Sequence, residues 1–507
     1  YNSSSSNFNH YKVLILLLLV PIAAIAQKQT FNWCFGDSVG IDFNNVVAPQ
    51  VFGSGMNARG SCASVSDSSG NLQFYTSAPY PPSLAASLSR TGAILNNQHQ
   101  LMQNGDTIVG QAWYHEMVIV PKPGNDSIYY VFSVGVTSIY GLYYSVVDMK
   151  ANGGLGAVIQ KNVMVMPDEQ ADCISAVKHG NGKDWWVVGR RLQHSQLIWN
   201  NEYYVVLITQ SGVSLPSFQT IGSLNKTGFG RISFSPSGDT LLFTNAGQVI
   251  EYFQFDRCTG VLSNPVTIRP VATTYSDWTW SNEFSSDGRF IYTSTSKDTT
   301  QLFQYDLQSP NPLATRATLY QSNFPRYAGG DVKRGPDGKI YFSIAYVNTG
   351  VSYPYPDTVY NNYNMNLSVI NAPDSLGSAC NFQPYSFYLG GKRTYYGLPN
   401  NPDYFLGPKI GSPCDTITAI SEASEIPVIS NIYPNPGNGP VTINYFLSNG
   451  KQGKLQAYNA FGEVVYEQQL ARYTYMQQLD LNKLPQGIYL FKLQSGNKVT
   501  FKKWIKQ

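Results

Sequence analysis

The sequence predicts an all-β protein on three observations. Tyr (36) and Phe (25) are abundant while charged residues make up only 13%, about half the usual share. Gly (44) and Pro (29) punctuate the whole chain, as expected where many short strands are joined by turns. A turn-then-strand unit also recurs at a nearly constant interval through the first four-fifths of the chain. Its 507 residues are enough for a large core and a second domain.

The N-terminus reads as an export signal. Lys12 precedes an apolar run from Val13 to Ile25, and Ala24-Ile25-Ala26 places small residues where a signal peptidase cuts, between Ala26 and Gln27. The run is shorter than the roughly 20 residues a helix needs to cross a bilayer. Residues 1–26 are therefore expected to be a signal peptide. The chain opens on Tyr1 rather than Met, so upstream sequence is expected.

The body, residues 27–405, is expected to be a seven-bladed β-propeller. The recurring unit is clearest in Phe234-Ser235-Pro236-Ser237-Gly238-Asp239-Thr240-Leu241-Leu242-Phe243, in Phe284-Ser285-Ser286-Asp287-Gly288-Arg289-Phe290-Ile291-Tyr292 and in Gly335-Pro336-Asp337-Gly338-Lys339-Ile340-Tyr341-Phe342. Looser copies surround Gly70, Gly124 and Gly182, and a degenerate seventh falls at Gly391. Successive glycines are 54, 58, 56, 50, 50 and 53 residues apart. Each unit has the chemistry of a tight hairpin: Pro presets φ, Asp caps its own turn and Gly supplies a positive φ. A period near 50 residues with about four short strands is one propeller blade. Ring closure is expected from the segment Trp33 to Phe43, joining the last blade. The six cysteines contain no Cys-x-x-Cys, and an even number in an exported chain is compatible with disulfides. Cys380 with Cys414 is the preferred pair, since it would pin the end of the body to the segment after it.

Residues 406–429, rich in Gly, Pro, Ser, Thr and Glu, read as a linker. Residues 430–507 alternate with period two and carry turn signals at Asn449-Gly450, Phe461-Gly462, Gln486-Gly487 and Ser495-Gly496, which predicts a small Ig-like β-sandwich. This tail holds 9 Lys and Arg against 3 Asp and Glu, whereas 27–429 holds 24 against 28. An acidic body and a stranded basic tail argue against nucleic acid as partner.

Several constellations invite a catalytic reading. Phe35-Gly36-Asp37-Ser38 stands where lipases of the GDSL type place their nucleophile, but such a serine needs a base. None of the five histidines (His10, His99, His115, His179, His194) has Asp three residues before it, and Val39 to Phe43 reads as strand rather than the helix an elbow requires. Ser38 is therefore expected to be structural. His115-Glu116 lacks the second histidine of a zinc pair, where Ile119 stands instead, and His115 reads as an edge residue of a strand. His179 reads as a turn residue. No acidic spacing resembles a calcium loop. No cofactor, metal or catalytic residue is assigned.

The tail carries Tyr433-Pro434-Asn435-Pro436 at its start, Asn459-Ala460-Phe461-Gly462-Glu463-Val464-Val465 in its middle, and Pro485-Gln486-Gly487-Ile488-Tyr489 before a basic end with Lys502 and Lys503. In these three motifs it resembles the type A C-terminal sorting domain of the type IX (Por) secretion system. That resemblance implies Sec export, recognition by the outer-membrane translocon and sorting machinery, and removal of the tail in the linker. The product would then be released or coupled to surface lipopolysaccharide. The unpaired basic strand ending at Gln507 is the expected recognition edge. In Asn32 to Phe43, in Gly153-Gly154-Leu155-Gly156 after Val147-Asp148-Met149, and in Ala176 to Trp186, the body resembles propeller-type surface proteins that carry this domain, and its Pro-Asp-Gly hairpins are similar to those of TolB-like propellers. The resemblance leaves two functions for it: a non-catalytic module binding a glycan or protein at the cell surface, or a propeller-scaffold hydrolase acting on an extracellular polymer.

Overall fold

In the computed structural model the described residues are 28–78, 91–110, 115–135, 139–192, 199–225, 228–272, 277–325, 328–346, 359–415, 428–447, 452–470, 476–496 and 498–507. The expected signal peptide, residues 1–26, lies outside them, and with it the expected cleavage between Ala26 and Gln27. Among the described residues the body forms seven antiparallel sheets, spanning 32–57, 62–96, 117–166, 170–225, 230–269, 277–322 and 329–388. The last three sheets have four strands each in sequence order. The Ser-Pro-Ser-Gly, Ser-Asp-Gly and Pro-Asp-Gly units join their first and second strands, as the turn chemistry predicts. Gly238, Gly288 and Gly338 have φ of 72°, 73° and 79°, values that glycine adopts without strain.

Six inner strands line the axis in order: Cys62–Ser66, Met117–Pro121, Gln170–Lys178, Gly230–Phe234, Asp277–Phe284 and Gly329–Arg334. Each lies beside the next. The fold is a β-propeller, with apolar side chains from facing sheets forming the layers between blades. One layer buries Ile119, Val131, Trp185 and Val206; another buries Trp186, Tyr203, Phe243 and Phe253.

Ring closure brings Trp33 to Phe43 into one blade with the chain that follows the seventh unit, at Gly391, rather than onto the sheet 329–388. The segment Trp33 to Phe43 is a hairpin, Asn32–Phe35 with Asp37–Asp42, and with Gln50–Asn57 it forms a separate first sheet. The last blade completes itself with Phe382–Tyr388. Strand Asn32–Phe35 packs against the inner strand of the next sheet, as the second strands of later blades do. The inner place of the first sheet is filled instead by the C-terminal segment 393–401. It joins the hairpin at Asp37 N to Arg393 O (2.9 Å), the second sheet through Asn400 N to Cys62 O (2.8 Å), and the last blade through Asp331 N to Tyr396 O (2.6 Å). The unit at Gly391 precedes this segment and is not a hairpin between first and second strands. Both chain ends of the body thus meet in one blade, with Leu398, Trp33 and Tyr341 in a shared core.

The tail is a two-sheet sandwich. Val428–Tyr433, Pro440–Phe446 and Met476–Asp480 form one sheet; Val464–Leu470, Gly453–Tyr458, Gly487–Ser495 and Lys498–Lys506 form the other. Ile443, Leu455, Phe491, Leu493 and Trp504 are buried between them.

Candidate functional site: the propeller axis and the sorting tail

Asp331, on the inner strand of the last blade, is fully buried and gathers the axis around it. Its carboxylate accepts His115 Nε2 at 3.0 Å and Leu398 N at 3.2 Å, and it also accepts the Ser281 hydroxyl. Arg231 Nη1 lies 3.8 Å away and donates to Asn400 Oδ1 at 3.2 Å. Asn400 Nδ2 in turn donates to the Met117 and Ile174 carbonyls, both at 2.9 Å. Burial alone would raise the Asp331 pKa, but Arg231, His115 and the bonds from His115 and Ser281 outweigh it and hold the group far below the usual carboxylate range. Burial, with Arg231 adding to it, lowers His115. An ionised carboxylate only accepts, so the neutral imidazole carries its proton on Nε2.

A cavity of ≈ 130 Å³ opens next to this network, at the end of the ring where the Pro-Asp-Gly turns lie. Its polar wall includes Arg231, Glu283, Lys333, Arg334, Asp337 and Asp403. Lys333 Nζ donates to the Asn401 carbonyl at 3.0 Å and lies 3.7 Å from Glu283 Oε2. Burial lowers the Lys333 pKa, with Glu283 opposing. Burial pushes Asp337 up to about 6 against the bond from Tyr341 Oη (2.8 Å). Three cationic and three anionic groups give the wall both donors and acceptors and no charge excess, which suits a small polar ligand.

The chain leaves the axis across this face. Tyr404 Oη donates to the Ile119 carbonyl at 2.7 Å, and Lys178 Nζ donates to the Tyr404 carbonyl at 2.9 Å. Arg257 Nη2 donates to the Gly407 carbonyl at 2.5 Å, and Lys409 N donates to the Gly180 carbonyl at 2.7 Å. Cys258 is bonded to Cys414. The expected Cys380–Cys414 pair is thus replaced: Cys380 is buried and free in the last blade, together with free Cys34, Cys62 and Cys173. Residues 407–415, linker-like in composition, are fastened to the fourth and fifth sheets by these bonds.

Ser38 sits in the first hairpin with φ 62°, its hydroxyl 3.4 Å from its neighbour Asp37 Oδ1. The residues after it continue as strand Asp37–Asp42, as predicted. His115 is a correction: it is 1% exposed at the axis rather than on an edge. Sequence alternation indicates a strand there but not which end of it meets the axis. Ser281 and His115 both bond to Asp331, so the histidine does not stand between serine and carboxylate as nucleophile activation requires. His179 is the expected turn residue, donating from Nε2 to the Cys258 carbonyl and accepting Asn181 N at Nδ1, both at 3.0 Å. Among the described residues no three His, Cys, Asp or Glu side chains gather as a metal site.

In the tail, the first motif and the last strand form one clasp. Asn435 Nδ2 donates to the Lys503 carbonyl (2.9 Å), and Asn435 Oδ1 accepts Ile505 N (3.0 Å). Trp504 Nε1 donates to the Pro434 carbonyl at 2.8 Å. Beyond the Asn435-Pro436 peptide, Gly437 exchanges backbone bonds with Ile505 and Gln507, both at 3.0 Å. Tyr433 ends the first strand. Gly462, at φ 82°, makes the turn between Gly453–Tyr458 and Val464–Leu470. Gly487 opens the strand that pairs with the last one. Tyr489 is buried beside Trp504, with its hydroxyl on the Pro485 carbonyl at 2.7 Å. The expected bare recognition edge is corrected accordingly: Lys498–Lys506 ends its sheet, but its last residues are covered by 435–437. Lys503 is exposed and Lys502 half-buried, whereas Lys506 is buried on the Leu481 and Asn482 carbonyls (2.8 and 2.7 Å).

Residues 431–507 match the family model described as a secretion system C-terminal sorting domain. The tail is a type IX sorting domain. It implies export through that system and contact with its machinery. No curated protein matches this chain. Among solved structures, the periplasmic gluconolactonase PpgL of Pseudomonas aeruginosa is similar at 13% identity and TM-score 0.42, over 72% of this chain and 98% of that one. PorZ, a surface component of the type IX secretion system of Porphyromonas gingivalis, is similar at 11% identity and TM-score 0.35, over 92% of this chain and 62% of that one. At these values neither bears on ligand or partner.

Proposed function

We propose that this is a cell-surface or secreted propeller, delivered through Sec and the periplasm to the type IX translocon, whose body is a non-catalytic binding module. The sorting domain, matched over 431–507, carries the export half of this reading. The body half is supported by the axis: the groups with catalytic chemistry there, His115, Asp331 and Ser281, are spent on holding four inner strands and the C-terminal segment together. The neighbouring cavity takes a small polar ligand or the end of a larger one. The tail is removed between 416 and 428, after the Cys258–Cys414 bond, and the body is then released or attached to lipopolysaccharide. Asp337, held near half-protonation at pH 6 in the same cavity wall as Glu283, favours the second reading, a hydrolase of extracellular polymers.

The test separates the halves. In a host with this system, the chain without residues 430–507 should remain in the periplasm; surface display at normal level would overturn the export reading. Purified full chain, screened against glycans and against chromogenic polysaccharides, should bind without cleaving. Cleavage that disappears in Asp337→Asn would replace the binding module by the hydrolase.

A further inference from the structure

The outward face of the tail's four-stranded sheet is apolar where the pattern of a solvated sheet calls for polar residues. In strand Gly487–Ser495, Tyr489, Phe491 and Leu493 are buried in the sandwich, so the pleat turns Ile488, Leu490, Lys492 and Gln494 outward. Register carries this onto the last strand, Lys498–Lys506. Ile488 pairs with Ile505, Leu490 with Lys503, Lys492 with Phe501 and Gln494 with Val499, and paired residues share a face. Ile488, Leu490 and Phe501 are 55%, 43% and 52% exposed. The third strand adds Tyr458, opposite Leu490. A sheet with one face in water alternates apolar-in and polar-out, whereas strands covered on both faces read as continuous apolar runs. Ile488-Tyr489-Leu490-Phe491 is such a run.

Polar groups divide this face in two. Toward strand Val464–Leu470, Lys454 Nζ meets Glu467 Oε1 at 2.8 Å and Gln456 Nε2 donates to Glu467 Oε2 at 2.8 Å. The Tyr458 hydroxyl donates to Gln456 Oε1 at 3.0 Å. That half is satisfied within itself. The charges of the apolar half are Lys492 and Lys503, both cations, and neither makes an ion pair among the described residues. Exposed apolar residues scattered singly are ordinary, but neighbours in register form a patch, and patches mark contact surfaces.

Three observations select the occupant. The tail is a sorting domain, which implies contact with the secretion machinery. The end of its last strand is closed to an added strand by 435–437, which turns contact there from the edge to the face. Both charges of the patch are positive, so the complementary surface is apolar with carboxylates at its rim. A second copy of the tail would instead set Lys492 and Lys503 against the same lysines. We propose that the outward face formed by Ile488, Leu490, Lys492, Phe501 and Lys503 is where the tail docks on a protein of the type IX machinery, through an apolar surface rimmed by carboxylates. This rests on the export reading and names the surface that serves it.

The experiment measures display of the full chain in a host with this system, by protease shaving of intact cells, against the amount held in the periplasm. Leu490→Glu and Phe501→Glu should each lower the displayed fraction about 10-fold and raise the periplasmic one. Lys503→Glu should lower display about 3- to 5-fold, and Lys503→Arg should keep it. Gln478→Glu, which adds a carboxylate on the other sheet, should change nothing. Circular dichroism and melting temperature of the purified full chain check folding. Should a glutamate at 490 or 501 lower the melting temperature, the Lys503 pair decides, since that side chain is exposed. Normal display of all three glutamate variants, where deletion of 430–507 blocks it, would overturn the docking face and leave the export reading standing. Display of the deleted chain would overturn the export reading beneath it. Sedimentation of the full chain as a dimer that Leu490→Glu dissociates would assign the face to a second copy. Flotation with vesicles of lipopolysaccharide and phosphatidylethanolamine, lost in Leu490→Glu, would assign it to a membrane surface. Either result would overturn the proposal.

Discussion

Replacing Cys258 and Cys414 together by serine should destabilise the body without unfolding it. The two residues are 156 apart in sequence, and closing a loop of that length in the unfolded chain is worth about 5 kcal/mol in the chain-entropy account. The observed loss should be smaller, about 2–4 kcal/mol, because Arg257 on the Gly407 carbonyl, Lys409 N on the Gly180 carbonyl and Lys409 on Asp239 (3.0 Å) still fasten the same segment. For a body this large that is a melting temperature lower by roughly 3–6 °C. Calorimetry with and without a phosphine reductant reads it directly: reductant should lower the wild-type transition to that of the double variant and leave the variant unmoved. Non-reducing peptide mapping should link Cys258 to Cys414, while Cys380, whose thiol is raised by burial, reacts with alkylating reagent only after unfolding. A Cys380–Cys414 peptide, ready alkylation of native Cys258 and Cys414, or a double variant melting with wild type would refute the reasoning.

Asp331→Asn should cost about 3–5 kcal/mol in urea unfolding, because it strips the buried Arg231 of its counter-ion; a loss under about 1 kcal/mol would show that the axis does not hold the ring. Asp337→Asn should gain stability relative to wild type as pH rises. The raised pKa of about 6 means that the stabilising protonated form is fully present below the unfolded value near 4 and is lost through pH 6. The gain at pH 7.5 over pH 4 is about 2 kcal/mol, and equal effects at both values would contradict the burial of that carboxyl. Asn435→Ala should cost the tail about 1–3 kcal/mol and lower surface display of the full chain, whereas normal display with a melted tail would separate fold from recognition. Ser38→Ala should leave any esterase signal unchanged, and labelling of Ser38 by a fluorophosphonate would overturn its structural role.

The legible part of the sequence was local. A turn at Ser285 to Gly288 is written in four consecutive residues, since Asp287 Oδ1 accepts Arg289 N at 2.9 Å and the Ser285 hydroxyl at 2.6 Å within the turn itself. The blade period and the strand after Ser38 arise from the same short-range chemistry. The axis was not legible, because His115 and Asp331 are 216 residues apart and neither lies in a pattern that points to the other. The disulfide failed for a related reason. Pinning the segment after the body to the body was the motive, but the crossing of 402–409 over the fourth and fifth sheets brings Cys414 to Cys258 rather than to Cys380, and no spacing encodes that crossing. In the tail, the motif containing Asn435 could be recognised, but its partners Lys503 and Ile505 could be found only by folding the chain.

The two domains solve closure in the same way. In the body, the inner place of the first blade is filled by 393–401, so the ring is complete only when the last residues of the body reach Arg59, Cys62 and Asp331. In the tail, Pro434 to Gly437 at the start grip Trp504 to Gln507 at the end. Each domain therefore gains its last interactions from residues that come at the end of its own sequence, which ties cooperative stability to completeness of the chain. The tail's exposed basic residues sit on the strand that this clasp holds. Removing residues 505–507 takes away the partners of Asn435 Oδ1 and Gly437 without removing a single exposed lysine, so it should loosen the clasp while leaving the basic surface of the strand in place.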